Sequence, residues 1–91
     1  MDPRHKYVQT ENDMNRFGYL LLRQKKVDEA IAVFTLNVEA NPNSANVYDS
    51  LGDGYDAAGK KDDAIKAYEK ALSIDPNYQS SRESLRKLKG N

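Results

Sequence analysis

Three aspartates recur along one stretch of the chain at a spacing that could bring their carboxylates together. Asp49, Asp53 and Asp56 are four and three residues apart, so a helix would present them on one face. A row of carboxylates could ligate a cation. Three carboxylates on one straight helix converge poorly on a metal ion, however, and a solvated acidic face is the simpler interpretation. We therefore expect no metal site and no other cofactor.

Two strings that match catalytic motifs lack the context that those motifs need. Gly52, Gly54 and Ala57 have the spacing of a dinucleotide-binding fingerprint. That fingerprint must follow a strand, whereas the apolar residues around it have helical spacing. Ser84 and Lys87 match part of a serine acylase signature whose companion motifs are missing. We therefore predict that the chain is not an enzyme.

Composition argues against several further functions. The 91 residues allow one small domain with a thin core. The 14 basic and 14 acidic residues cancel, so no net field would draw the chain to nucleic acid or to an anionic membrane. No cysteine is present, which excludes disulfides and thiolate chemistry. The only histidine, His5, belongs to no recognisable catalytic arrangement.

Hydropathy gives no sign of membrane insertion or export. No apolar run approaches the roughly 18 residues that would span a bilayer. The first residues, Met1 to Lys6, lead into no apolar segment, so we expect no signal peptide. We accordingly expect a cytoplasmic location and no membrane partner.

The elements that would carry these residues are helices, because apolar side chains recur at helical spacing. Pro42 and Pro76 would end two of them and Gly59 a third. The first helix has two possible starts, Asp2 with Pro3 in its first turn, or Thr10 in a capping box with Asp13. The second start is preferred, with a frayed lead-in before Glu11. We predict five helices and no strand, with breaks near residues 25, 42, 60 and 76.

Similar residues also recur 34 positions apart. The pairs are Gly18 and Gly52, Ala30 and Ala64, Phe34 and Tyr68, and Pro42 and Pro76. With Tyr48, Leu51, Tyr55 and Ala71, this pattern over residues 11–78 resembles a tetratricopeptide repeat.

The resemblance implies an all-α, right-handed solenoid of helical hairpins. Its divisions would be a lead-in or partial helix at residues 1–10, repeats at 11–44 and 45–78, and a capping helix and tail at 79–91. A chain with two repeats also looks like a piece of a longer protein.

The repeat pattern predicts which residues pack against each other. Gly18 and Gly52 would let the two helices of each hairpin approach closely, and four large apolar side chains would fill the space beside them: Phe17, Phe34, Leu51 and Tyr68. Asn37 departs from the pattern, since the second repeat has Ala71 there, and a buried amide needs a partner. Gly54 lowers helix stability by up to about 1 kcal/mol relative to alanine. We therefore expect the third helix to be less stable.

In this family the first helix of each repeat lines a concave groove that binds peptides. The resemblance therefore implies a non-catalytic protein–protein interaction module, an adaptor, with a protein or peptide partner. One interpretation is a binding groove in which Asp49, Asp53 and Asp56 pair with a basic side chain of the ligand. An exposed Tyr19 and Leu22 would favour this interpretation. The other is a solvated face, with Arg16 pairing to an aspartate across the stack. The matching groove positions are Asn12, Asn15, Arg16, Tyr19, Leu22, Arg23, Asn46, Asp49, Ser50, Asp53, Asp56 and Ala57.

The family's best-known ligand mode does not fit this sequence. It is a clamp of Lys and Asn side chains on the C-terminal carboxylate of a chaperone tail. That clamp would need Lys in place of Asn15, Asn in place of Tyr19, and basic residues in place of Ser80 and Ser84. We therefore do not expect chaperone-tail binding.

Two further expectations concern the rest of the surface. The stretch from Val27 to Gly52 resembles, more loosely, the C-terminal repeats of bacterial serine hydrolases, which implies an alternative role as an accessory domain for docking or oligomerisation. Val33 and Leu36 lie off the apolar stripe of the second helix and predict an interface, either a weak homodimer or contact with an upstream domain. Tyr7 and Val8 folding over this pair is the other possibility.

Overall fold

The computed structural model describes residues 10–90, which contain five α-helices and no strand. The all-α prediction is confirmed, and each predicted break lies within an observed connection. Expectations that concern residues 1–9, among them His5, Tyr7 and Val8, lie outside the described residues. The helices are α1 (Glu11–Arg23), α2 (Val27–Ala40), α3 (Ala45–Ala57), α4 (Lys61–Ile74) and α5 (Gln79–Lys89).

The first helix begins with the capping box predicted at Thr10. The Thr10 hydroxyl accepts a hydrogen bond from the Asp13 amide at 3.1 Å, and the Asp13 carboxylate accepts one from the Thr10 amide at 3.5 Å. Two orphan donors of the first turn are thereby satisfied. Ser44 occupies the N-cap position of α3 but makes no capping hydrogen bond with its side chain. Its hydroxyl instead donates to the Glu11 carboxylate at 2.7 Å.

Both hairpin turns have the same helix-terminating geometry. Lys25 and Gly59, which are 34 residues apart, have φ angles of 64° and 76°. In each turn the amide of the following residue reaches back to the last turn of the helix, from Lys26 to Leu21 and from Lys60 to Tyr55, at 2.9 Å. This is the Schellman arrangement. Lysine in the left-handed region costs about 1 kcal/mol more than glycine, so the first turn is the more strained.

Glycine permits the close approach of the two helices within each hairpin, as predicted. A Cβ atom at Gly18 would lie 2.2 Å from Cε1 of Phe34, and one at Gly52 would lie 2.5 Å from Cε1 of Tyr68. Both rings are almost fully buried. Each ring therefore packs directly against the backbone of the facing helix. It fills the space that a side chain at the glycine position would need.

Gly54 has a structural role that the sequence analysis missed. A Cβ atom there would lie 3.1 Å from Cγ1 of Ile31 and 3.1 Å from Cδ2 of Phe34. These two side chains belong to α2, so Gly54 marks the place where the first hairpin packs across α3. The glycine predicted to soften α3 thus makes room for the contact between the two hairpins.

The core continues through the whole stack. One buried cluster joins the two hairpins and a second joins α4 to α5. Phe17, predicted to lie inside, is 46% exposed. Its counterpart Leu51 packs beside α2, whereas α1 is the first helix among the described residues. The two clusters are Leu21, Ala30, Phe34, Leu51 and Ala67, and Ala64, Tyr68 and Leu85.

Asn37 is fully buried in α2, and its amide has the partners that the sequence analysis required. Its Nδ2 donates to the backbone carbonyl of Glu11 at 3.1 Å, and its Oδ1 accepts from Nδ2 of Asn41 at 2.8 Å. The amide therefore ties α2 to the start of α1. A small apolar residue at this position would remove this hydrogen bond between α2 and α1.

Candidate functional site

The predicted groove positions lie on α1 and α3. We call these two helices together with α5, the next helix in the stack, the first-helix layer. Hydrogen bonds between side chains join these helices in turn. The Ser50 hydroxyl of α3 donates to the Asn15 side chain of α1. The hydroxyls of Ser80 and Ser81, in the first turn of α5, donate to Asp49 at 2.9 Å and 2.7 Å. Several residues assigned to ligand binding therefore also hold neighbouring helices together.

Asp53 lies at the centre of the first-helix layer and joins three helices. Its carboxylate accepts one hydrogen bond from the Tyr19 hydroxyl of α1 and another from the Tyr68 hydroxyl of α4. The Tyr19 ring also packs edge-on against Phe34, with the ring centroids 5.1 Å apart. Burial, followed by the hydrogen bond to Asp53, raises the pKa of both tyrosines. Both hydroxyls therefore remain protonated donors to Asp53 at physiological pH.

Two expectations about this face are wrong. Tyr19 and Leu22, predicted to be exposed, are partly buried and pack against the cluster between the hairpins. Arg16 pairs with Asp13 of its own helix at 3.0 Å rather than with an aspartate across the stack. A tyrosine whose hydroxyl can reach a carboxylate on the next helix gains more by packing inward than by facing solvent.

Asp49 is more enclosed than the other two aspartates of the row. Only 5% of its surface is exposed, and both carboxylate oxygens accept serine hydroxyls from α5. Burial is the largest influence on Asp49 and raises the pKa of its carboxyl, against a smaller lowering by the hydrogen bonds from Ser81 and Ser80. Asp49 therefore stabilises the junction between α3 and α5.

This raised pKa predicts the pH dependence of folding. Because the folded chain binds the Asp49 proton more tightly than the unfolded chain, the Asp49 contribution to stability is largest in acid and is lost as pH rises. We expect the free energy of unfolding of the wild type, relative to Asp49→Asn, to fall as the pH rises from about 4 towards neutrality. Urea unfolding of both proteins across that range measures it. A constant difference between the two would contradict the prediction.

A second polar cluster lies at the start of the first-helix layer, and the sequence analysis missed most of it. The Glu11 carboxylate accepts from Nδ2 of Asn46 at 3.1 Å as well as from Ser44. Oδ1 of Asn46 in turn accepts the Tyr78 hydroxyl at 3.0 Å. The available signal was the repeat period, because polar residues about 34 positions apart, such as Tyr19 and Asp53, face each other on successive first helices.

The exposed part of the predicted groove is smaller than the sequence suggested. Asn15, Asn46 and Asp53 are partly buried, and Ser50 is buried beside Asp49. Within residues 10–90 the ion pairs are Arg16 with Asp13 and Lys89 with Glu69, so in this part of the chain no Lys or Arg pairs with the row of aspartates. The exposed positions are Asn12, Arg16, Arg23, Asp56 and Ala57.

Among residues 10–90, no three His, Cys, Asp or Glu side chains come together in a way that could hold a metal ion. No helix in that range combines the length and the apolar character needed to cross a membrane.

Comparison with known families decides the class of the chain. The family model described as "Tetratricopeptide repeat" matches residues 45–78, which include α3 and α4. The chain contains a tetratricopeptide repeat. The predicted family resemblance and the helical-hairpin solenoid are therefore confirmed. The looser resemblance to bacterial serine hydrolases is not borne out by the comparisons.

Relatives with known names extend the similarity beyond that segment. The chain is 32% identical over 68 residues to the tetratricopeptide repeat domain-containing protein PYG7 of Arabidopsis thaliana chloroplasts, covering 75% of this chain and 23% of that protein. It is 39% identical over 70 residues to the ancillary SecYEG translocon subunit of Neisseria gonorrhoeae, covering 77% of this chain and 33% of that protein. The chain thus spans a third or less of these relatives.

Solved structures support the fold of nearly the whole chain. The first tetratricopeptide domain of Spaghetti (RPAP3), bound to an HSP90 peptide, superimposes with a TM-score of 0.80 at 26% identity. That match covers 89% of this chain and 64% of the other. MamA from Desulfovibrio magneticus RS-1 gives a TM-score of 0.81 at 26% identity, over 96% of this chain and 49% of the other.

Proposed function

We propose that this chain is a non-catalytic protein-interaction module, and that its first-helix layer binds an extended segment of a partner protein through a basic side chain. Tetratricopeptide repeats generally mediate protein–protein interaction and are generally non-catalytic. A solved structure with the same fold holds a peptide. The remaining question is which peptide chemistry suits this particular surface.

The observation that carries the proposal is the row of aspartates on α3. Asp56 is exposed and Asp53 is partly buried, and within residues 10–90 neither forms an ion pair with Lys or Arg. Tyr19 and Tyr68 hold the Asp53 carboxylate in one orientation, so little side-chain entropy would be lost when a ligand binds. An arginine or lysine of the partner would supply the cation that these two carboxylates do not find within residues 10–90.

The same geometry disfavours an acidic ligand such as the HSP90 peptide of the similar structure. Asn15 and Ser84 supply no positive charge where a carboxylate clamp would need one. Tyr19 occupies a third clamp position, and its hydroxyl is already donated to Asp53. An acidic tail on this layer would meet Asp53 and Asp56 as like charges, which is unfavourable.

A charge reversal at Asp56 tests the proposal. Peptides are first selected from a displayed random library and their affinities are measured by calorimetry, with values on the order of micromolar expected for so small an interface. Asp56→Lys should weaken the binding of Arg- or Lys-containing peptides about tenfold or more, since one charged contact contributes about 1.5–3 kcal/mol. Asp56 is exposed, so this substitution should leave the fold intact.

Glu39→Lys provides the matched control. Glu39 is also exposed and also lies in the last turn of its helix, α2, and the substitution changes the charge by the same amount. It should leave peptide affinity unchanged. Amide chemical shifts induced by a selected peptide should map to α1 and α3. Shifts confined to α2 and α4, or equal weakening by both variants, would contradict the proposed site.

A further inference from the structure

Charged side chains alternate in sign across the first-helix layer, near the ends of its three helices. Arg23 is exposed in the last turn of α1, Asp56 in the last turn of α3 and Lys87 in the last turn of α5. Asp53, which is partly buried, lies one turn before Asp56 on α3. From α1 to α5 the exposed charge is therefore positive, then negative, then positive.

Lys87 lies on the same face of the layer as the aspartates of α3. It follows Asp53 by 34 residues and so holds the equivalent place on the next helix of the layer. Ser80, Ser84 and Lys87 follow one another at i, i+4 and i+7, and therefore form one stripe along α5. Ser80, at the start of that stripe, donates to Asp49 of α3 at 2.9 Å. The stripe thus borders α3 at its first turn and carries Lys87 near its end.

Arg23 supplies the positive charge on the α1 side. It follows Tyr19 by one helical turn, and the Tyr19 hydroxyl donates to Asp53, so this side of α1 adjoins α3. Arg16, the other arginine of α1, forms an ion pair with Asp13 at 3.0 Å. Arg23 takes part in no ion pair among residues 10–90. On α1 the arginine whose charge is not balanced within its own helix is therefore Arg23.

The spacing of these charges fits an extended peptide. Neighbouring packed helices have axes about 8–10 Å apart, and an extended chain advances about 3.3 Å per residue. A segment that crosses the layer therefore passes from one helix to the next in about three residues. Arg23, Asp56 and Lys87 each lie in the last turn of their helix, so one such segment can reach all three.

We infer that the partner segment carries its basic side chain between two acidic ones, each about three residues away, and this inference rests on the proposed function. The central Arg or Lys meets Asp53 and Asp56. The flanking Asp or Glu side chains meet Arg23 on one side and Lys87 on the other. Because the order of charges is the same from both ends, the segment satisfies it in either direction. Basic flanks would instead place like charges against both cations.

Two heptapeptides with blocked ends test the inference on the whole chain: Glu-Ala-Ser-Arg-Ala-Ser-Glu and the same sequence with Lys at both ends. Amide chemical shifts followed during titration give the affinity of each peptide. The Glu-flanked peptide should bind about three- to tenfold more tightly at low salt, since it gains two exposed charge pairs and avoids two like-charge contacts. The preference should shrink as salt is added, because exposed pairs are screened.

Lys87→Glu tests the flank assigned to α5. It should weaken the binding of the Glu-flanked peptide about threefold or more and strengthen that of the Lys-flanked one. Arg86→Glu is the matched control, because Arg86 is also exposed in the last turn of α5. Arg86 corresponds in the repeat to Gly52, which faces Tyr68 inside its hairpin, so this variant should keep the wild-type preference. Circular dichroism checks that both variants are folded.

Failure of this inference is distinguishable from failure of the proposed function. Equal affinities for the two heptapeptides, no measurable binding of the Glu-flanked one, or equal effects of the two variants would overturn the alternating charge pattern. Library-selected basic peptides that depend on Asp56 would still support the proposed function. Selected peptides whose affinity is unchanged by Asp56→Lys would overturn both. A Glu-flanked preference that is lost in Lys87→Glu and kept in Arg86→Glu would support the inference.

Discussion

Replacing Gly52 with leucine is expected to abolish the cooperative unfolding transition of this chain. A Cβ atom there would lie 2.5, 2.7 and 2.8 Å from three ring carbons of Tyr68. The ring has no room to yield, since Tyr68 is 1% exposed and its hydroxyl is held by Asp53. The loss of stability should therefore exceed the roughly 1–3 kcal/mol typical of overpacked cores. Thermal and urea unfolding, followed by circular dichroism, measures it.

Ala57→Leu is the matched control for this substitution. It introduces the same side chain into the same helix, at an exposed position. Its effect should stay within about 0.5 kcal/mol of the wild type, as for most surface substitutions. A Gly52→Leu variant that unfolds cooperatively at wild-type urea concentrations would show that α3 and α4 do not cross at Gly52 as described.

The second large effect is expected for Phe34→Ala. Phe34 is fully buried and contacts both hairpins, since its ring lies against Gly18 within its own hairpin and against Gly54 of α3. Tyr19 packs edge-on against the same ring. Removing the ring should lower the free energy of unfolding by about 3–5 kcal/mol, through lost burial and the cavity left behind. For so small a domain that is a large fraction of the total stability.

Phe17→Ala makes the same chemical change at a position that is 46% exposed. It should lower the free energy of unfolding by about 1 kcal/mol or less. Urea unfolding of the two variants under identical conditions compares them directly. Equal losses would mean that Phe34 does not join the two hairpins, or that Phe17 is covered.

The glycine contacts also bear on the candidate site. Tyr68 can reach Asp53 because Gly52 lets its ring lie against α3, and Tyr19 reaches the same carboxylate from α1. Packing within and between hairpins therefore sets the orientation of a groove residue. Under the proposed function, a substitution that loosens either contact should weaken peptide binding indirectly, because the carboxylate would lose its fixed orientation.

The sequence by itself determined the helices, the repeat and the contact between a glycine and an aromatic ring within each hairpin. These features depend on local rules, namely helical periodicity, capping at Thr10, and termination at Gly59 and Pro42. Gly18 and Gly52 recur at the repeat period, and this predicted where the two helices of each hairpin approach most closely. The repeat pattern itself specifies which residues lie at that contact.

Only the tertiary structure decided which polar residues of the first-helix layer face a neighbouring helix and which face solvent. Asp49 and Asp56 lie on the same face of α3, yet one is buried against α5 and the other is exposed. Hydrophobic spacing does not distinguish them, since both are aspartates at helical spacing. The difference arises because the first turn of α5 places Ser80 and Ser81 at Asp49, whereas Asp56 lies in the last turn of α3. How successive helices lie against each other depends on side-chain packing and not on local propensity.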